Sequence, residues 1–143
     1  MPECQICQRE TAPDEPLGGW IVRTELWSAC VADGFEVPGW LFLQLRRHAE
    51  GPMALAPEEA SELGRLLVDL SAAIQTATGA ERVYLLAFGE LFPHFHVLLA
   101  PRMPMAPPEH TGAHLFLNRG DLVDRERAAE IALAACRALS SSG

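Results

Sequence analysis

One long amphipathic stretch, flanked on both sides by strand-length apolar runs, constrains this chain most. Across residues 57–79, Leu63, Leu66, Leu67, Leu70 and Ile74 recur at helical spacing. Pro57 suits a first helical turn, Glu58 and Glu59 complement the positive end of the helix dipole, and Gly79 is a stop signal. Before this helix, residues 19–24 and 26–31 read as two short strands rich in Trp, Ile and Val, and residues 40–45 form a near-continuous apolar run of strand length. Asp33-Gly34 and Pro38-Gly39 mark turns between them. After the helix, residues 82–88 and 94–100 read as strands, the second bounded by Pro101. Residues 123–139 read as a closing helix with Ile131, Ala134, Ala135 and Ala138 on one side. Residues 13–19 and 103–120 are predicted loops, and residues 140–143 a frayed tail. The order predicts an α+β fold: one antiparallel sheet with one long helix and a C-terminal helix, both on one face. At 143 residues, one domain over 1–143 is expected, large enough to bury a core without staples.

Composition narrows the function classes. The chain is 49% hydrophobic and 21% charged, an ordinary globular balance. No stretch approaches the roughly 20 apolar residues of a membrane helix. The start, MPECQICQRE, lacks the basic and apolar segments of a secretory signal, so a cytoplasmic, membrane-independent protein is expected. A net charge of −8 without a basic run opposes nucleic-acid binding. A small phosphorylated ligand remains compatible, because one pocket can be positive on an acidic protein.

Of four cysteines, Cys30 and Cys136 lie among apolar neighbours and read as buried thiols. Cys4 and Cys7 form C-x-x-C, a spacing that serves metal or redox chemistry in a reducing compartment. No thioredoxin-like strand–helix context follows, and two unconnected thiols are a third reading. Zinc takes tetrahedral sets of thiolate and imidazole, and two thiolates already neutralise its charge, so neutral histidines would complete the set. His48 and His94 stand at the edges of predicted strands, where a ligand is held rigidly, whereas His110 and His114 sit in the predicted loop. As residues alone, His48 also reads as a surface histidine, and His94 and His96 as half-buried strand residues.

From Gly89-Glu90 to Pro101-Arg102 the chain carries His94, His96 and Leu98 at alternate positions. This segment resembles the motif of the histidine-triad (HIT) family: Gly-Gln, three residues, then His-x-His-x-His-x-x-Pro-Arg. Leu98 stands where the third histidine belongs. Residues 39–48, ending in Arg46-Arg47-His48, are similar to the family strand that ends in a basic pair and a histidine. Residues 57–67 are similar to the helix that follows it. Beyond Arg102 the likeness is only that of a helix-ending tail. Zinc-containing HIT proteins bind metal through an N-terminal C-x-x-C, the histidine after the basic pair and the first motif histidine. The resemblance therefore implies a structural zinc (Zn2+) on Cys4, Cys7, His48 and His94.

The resemblance also implies chemistry at an α-phosphate. The second motif histidine, here His96, would attack phosphorus and form a nucleotidyl-histidine that water or another acceptor resolves. The expected function is a nucleotide phosphohydrolase or nucleotidyltransferase acting on a small nucleotide or nucleotide conjugate, with a homodimer as the expected assembly. Several departures oppose turnover. Leu98 cannot donate to a phosphate oxygen, and losing one such donor costs about 10²–10³ in rate. Glu90 replaces the family glutamine, no asparagine occurs in residues 83–88, and Trp40 replaces a common histidine. The alternative is thus a catalytically weakened or inactive zinc-stabilised nucleotide-binding or structural module. Trp20, Trp27 and Trp40 are candidates for base stacking or, more simply, for core or a dimer interface. Arg46, Arg47 and Arg102 are candidates for phosphate contacts, though adjacent Arg46 and Arg47 cannot share a side.

Overall fold

A computed structural model describes residues 3–142 of the chain. The elements run α1 (Gln5–Thr11), β1 (Val22–Arg23), β2 (Trp27–Val31), β3 (Leu41–Leu45), α2 (Pro57–Thr78), β4 (Arg82–Leu86), β5 (His96–Arg102), α3 (Ala113–Leu117) and α4 (Arg125–Ser142). The strands form one antiparallel sheet in the order β1-β2-β3-β5-β4. This is the expected α+β architecture.

Both faces of the sheet are buried, because β2 and β3 are apolar or small at nearly every position rather than alternating. One face carries Trp27, Ala29, Leu43 and Leu99 and packs against Leu66, Leu70 and Ile74 of α2 and Ala128 and Ala132 of α4. The other carries Trp40, Phe42, Leu98 and Ala100 beneath Phe35 and Leu115 of α3. Helix α1 lies on this second face too, where Arg9 reaches Cys30 and Glu10 reaches Ser28 and Gln44. The expectation of helices on one face alone is therefore corrected: long helices cover one face, short ones the other.

Several boundaries also move. Helix α1 was hidden in a segment too short and polar to show a period, and its N-cap is Cys4 itself. The predicted loop at 103–120 contains α3, bracketed by 3-10 turns at Pro108–His110 and Arg119–Leu122. Residues 140–142, expected to fray, continue α4, while Gly143 lies outside the described residues. Strand β5 starts at His96 rather than His94 and runs through Pro101. Arg102 O accepts from Glu81 N on the β4 side, so Pro101 faces the other way. Pairing with β3 already ends there, at Leu41↔Leu99, and a missing N–H costs no ladder bond.

Candidate functional site

The two histidine-bearing segments meet by extension of the β3–β5 pairing. Beyond the end of β3 the chain stays beside the approach to β5: Leu45 N donates to Phe95 O, Phe95 N to Ala49 O, and Glu50 bridges His94. His48 and His94 are thereby set edge to face, with ring centroids 5.0 Å apart. Arg47, on the opposite side of the chain from its neighbours, is held by Glu59 of α2 at 2.8 Å through two nitrogens, which fixes the His48 backbone.

Helix α1 supplies the sulfur pair. Cys4 caps it, and Cys7 N donates to Cys4 Sγ at 3.4 Å. The helix is pinned by Glu10, whose side chain is only 6% exposed. Its carboxylate accepts from Ser28 Oγ, from Gln44 Nε2 at 2.8 Å, from Arg46 Nε at 2.9 Å and from Arg23 Nη1 at 3.0 Å. Ser28 and Gln44 are cross-strand partners, so Glu10 reads the register of the sheet and seats the cysteines against the histidines.

The four ligand atoms lie within 4.8 Å of one another. Cys4 Sγ is 3.4 Å from His94 Nδ1, and Cys7 Sγ is 3.5 Å from Nδ1 of both His48 and His94. Ligands on a tetrahedral zinc, at Zn–S near 2.3 Å and Zn–N near 2.05 Å, would stand about 3.6 Å apart. The histidine tautomers also suit a metal. His94 Nε2 donates to Leu45 O at 2.5 Å and His48 Nε2 faces Glu50 Oε2 at 3.3 Å, which leaves both Nδ1 lone pairs aimed at the sulfurs. Burial pulls the His94 imidazole below its ordinary value, with His48 and His96 adding to the effect, so the ring is neutral at pH 7 as a ligand must be. Burial and the neighbouring Cys4 push the Cys7 thiol up, and a divalent cation is the charge that would reverse this. The donor set therefore fits zinc.

His96 lies one pleat along β5, on the face that carries Gln44 and Phe42. Its Nδ1 donates to His94 O at 2.8 Å, so Nε2 is the lone-pair nitrogen. Burial lowers its pKa. The ring borders a cavity of about 370 Å³ that also contains Glu90 and Leu98. The surroundings are aromatic: Phe42 is 4.7 Å and Phe92 5.8 Å from His96 between centroids.

The other candidates have structural roles. Trp27 and Trp40 are core, and Trp20 lies under the Arg23 guanidinium at 4.2 Å. Arg46, Arg47 and Arg102 are paired with Glu10, Glu59 and Glu81. Cys30 is fully buried and Cys136 partly so. His110 pairs with Asp121 at 3.1 Å, outside the cluster. Sequence reading missed Glu10, Glu50 and the Leu45 carbonyl, which orient the ligands. Only the capping position of Cys4 was open to local inspection; the partners of Glu10 are 13 to 36 residues distant, Leu45 is 49 residues from His94, and Glu50 is ordinary surface acid by type.

No protein-family model matches the sequence, and no curated protein matches it. Solved structures match by shape. A hypothetical histidine triad nucleotide-binding protein of Sulfolobus tokodaii is 16% identical, with 96% of this chain and 93% of that one covered at a TM-score of 0.73. A Hit-like protein of Bartonella henselae involved in cell-cycle regulation is 12% identical, with 96% and 98% covered at 0.74. A Zn-bound histidine triad family protein of Mycobacterium smegmatis is 15% identical, with 99% of each chain covered at 0.71. Near-complete coverage in both directions extends the likeness past Arg102, where the sequence had offered only a tail, and this chain has the histidine-triad fold.

Proposed function

We propose that the protein is a zinc-stabilised HIT-fold protein that binds a small nucleotide or nucleotide conjugate beside His96 and acts on its α-phosphate. Cys4, Cys7, His48 and His94 would hold the zinc. Closed by four protein ligands, that ion would brace α1 against the sheet and leave the reaction to the chain's own groups. The observation that carries the reading is the His96 tautomer. With Nδ1–H committed to His94 O, Nε2 presents its lone pair, as a nucleophile requires. Nε2 would attack phosphorus as the bond to the leaving group breaks and its electron pair departs with that group. Water or another acceptor would then cleave the P–N bond.

Leu98 and Glu90 favour a second reading, a module that binds without efficient turnover, since both line the His96 cavity and neither supplies a donor to a phosphate oxygen. One experiment separates the two. Zinc-loaded protein and its His96→Ala variant are incubated with adenosine phosphoramidate, dinucleoside polyphosphates and nucleotide sugars. The enzyme reading expects turnover of one class that falls by about 10³-fold or more in the variant. Turnover that survives the substitution removes His96 as nucleophile, and silence on every substrate leaves the binding module. A homodimer belongs to the same proposal, supported by exposed Val68 on α2 and Leu85 on β4, the sheet's edge strand.

A further inference from the structure

The cavity beside His96 is lined almost entirely by apolar and aromatic side chains. Its floor is Phe42, His96 and Leu98 of the sheet, its side wall Phe92, and its roof Phe116 and Leu117 of α3. The volume, about 370 Å³, falls in the range of about 300–1,000 Å³ typical of small-molecule sites. Its mouth is apolar as well: Phe88, Leu91 and Leu117 are 70%, 68% and 70% exposed, large side chains left in water at the opening. The one charged lining residue is Glu90, which repels phosphate. The guanidinium of Arg119 is stacked on the rings of Phe35 and Phe116 at 4.5 and 4.4 Å and does not line the cavity.

We propose that this cavity binds a small uncharged aromatic molecule bearing one hydroxyl or N–H donor. The donor pairs with His96 Nε2, which can only accept because Nδ1 already donates to His94 O. The aromatic part lies among Phe42, Phe92 and Phe116, whose rings offer edges and faces for offset or edge-on contact. The inference competes with attack on phosphorus for His96 Nε2 and goes with the second reading above, in which the site binds without efficient turnover.

The test uses the zinc-loaded full chain and two probes, 2-naphthol and its methyl ether, with adenosine monophosphate as the charged comparator. Binding is read by calorimetry and by NMR shifts of the His96 and Phe116 rings. Saturable binding of 2-naphthol is expected, with the ether about tenfold weaker for want of its donor. His96→Phe, checked for folding by circular dichroism, should bind both probes equally. Absence of saturable 2-naphthol binding, equal affinity for the two probes in the parent, or tighter binding of the monophosphate in this cavity each overturns the proposal. So does a mouth covered by a second copy, seen as a dimer that Leu117→Ser dissociates. The parent comparison needs no variant to fold. Nucleotide turnover without naphthol binding would uphold the catalytic reading and sink this one, and naphthol binding without turnover would do the reverse.

Discussion

His94 does two jobs with one ring. Nδ1 faces both sulfurs while Nε2 is spent on the Leu45 carbonyl, and the backbone carbonyl of the same residue fixes His96. Replacing it by alanine removes a proposed metal ligand and the hydrogen bond to Leu45 O, while the backbone carbonyl that accepts from His96 Nδ1 stays in place. Because metal-binding free energy is folding free energy, Cys4→Ser, His48→Ala or His94→Ala should lower the melting temperature by more than about 10 °C in calorimetry. An unchanged transition in zinc-replete buffer would contradict the metal assignment. Glu10 is the second decisive residue. Glu10→Gln leaves Arg23 and Arg46, both partly solvated, without their carboxylate and should cost about 1–3 kcal/mol in urea unfolding. It should also weaken zinc retention against a chelator, an effect that a merely local surface pair would not have.

At the scale of elements, α2 is tied to the Cys4, Cys7, His48 and His94 cluster through its first turn. Glu59 accepts from Ala56 N at 2.8 Å and holds Arg47, and the Arg47 hydrogen bonds keep its carboxyl below the ordinary carboxylate range. A carboxyl that resists protonation more when folded stabilises the fold above its unfolded value, near ~4.3. That contribution fades as pH falls through the lower folded value. Stability of Glu59→Gln should accordingly depend less on pH below about 4.3 than that of the parent, compared by urea midpoints in metal-free protein so that ligand protonation does not intrude. How far elements were legible follows from their range of interaction. Helix α2 announced itself through Leu66, Leu70 and Ile74, and Gly79 closes it at φ 77°, a conformation that glycine adopts readily. Strands β2 and β3 showed as apolar runs for the same reason. Helix α3 did not, since its five residues hold one buried side chain, Leu115, and Pro104, Pro107 and Pro108 crowd the stretch ahead of it. The histidine pair and the C-x-x-C were visible as types, but their convergence depends on Glu10 and on pairing beyond β3, which no local pattern encodes.

Taken whole, the molecule has a braced end and an open end. One zinc per chain is expected by native mass spectrometry of protein purified without chelator, and stoichiometric absence would count against the four-ligand site. Among the described residues no helix is long and apolar enough to cross a membrane. Strand β4 ends the sheet with Leu85 51% exposed, and Val68 of α2 is 68% exposed. Unpaired strand edges and exposed aliphatic side chains seek partners. Light scattering should report a dimer for the parent and a monomer for Leu85→Glu, and a parent that stays monomeric at high concentration removes the expectation.

The four converging ligand atoms come from positions 4, 7, 48 and 94. A chain emerging from the ribosome presents its cysteines first and its final imidazole some ninety residues later. Until the stretch ahead of β5 has been made and aligned beside the exit of β3, the thiol pair has no complete cage to enter. Metal capture would then mark the end of sheet assembly, and the thiol pair, made well ahead of both imidazoles, would be among the last parts to settle.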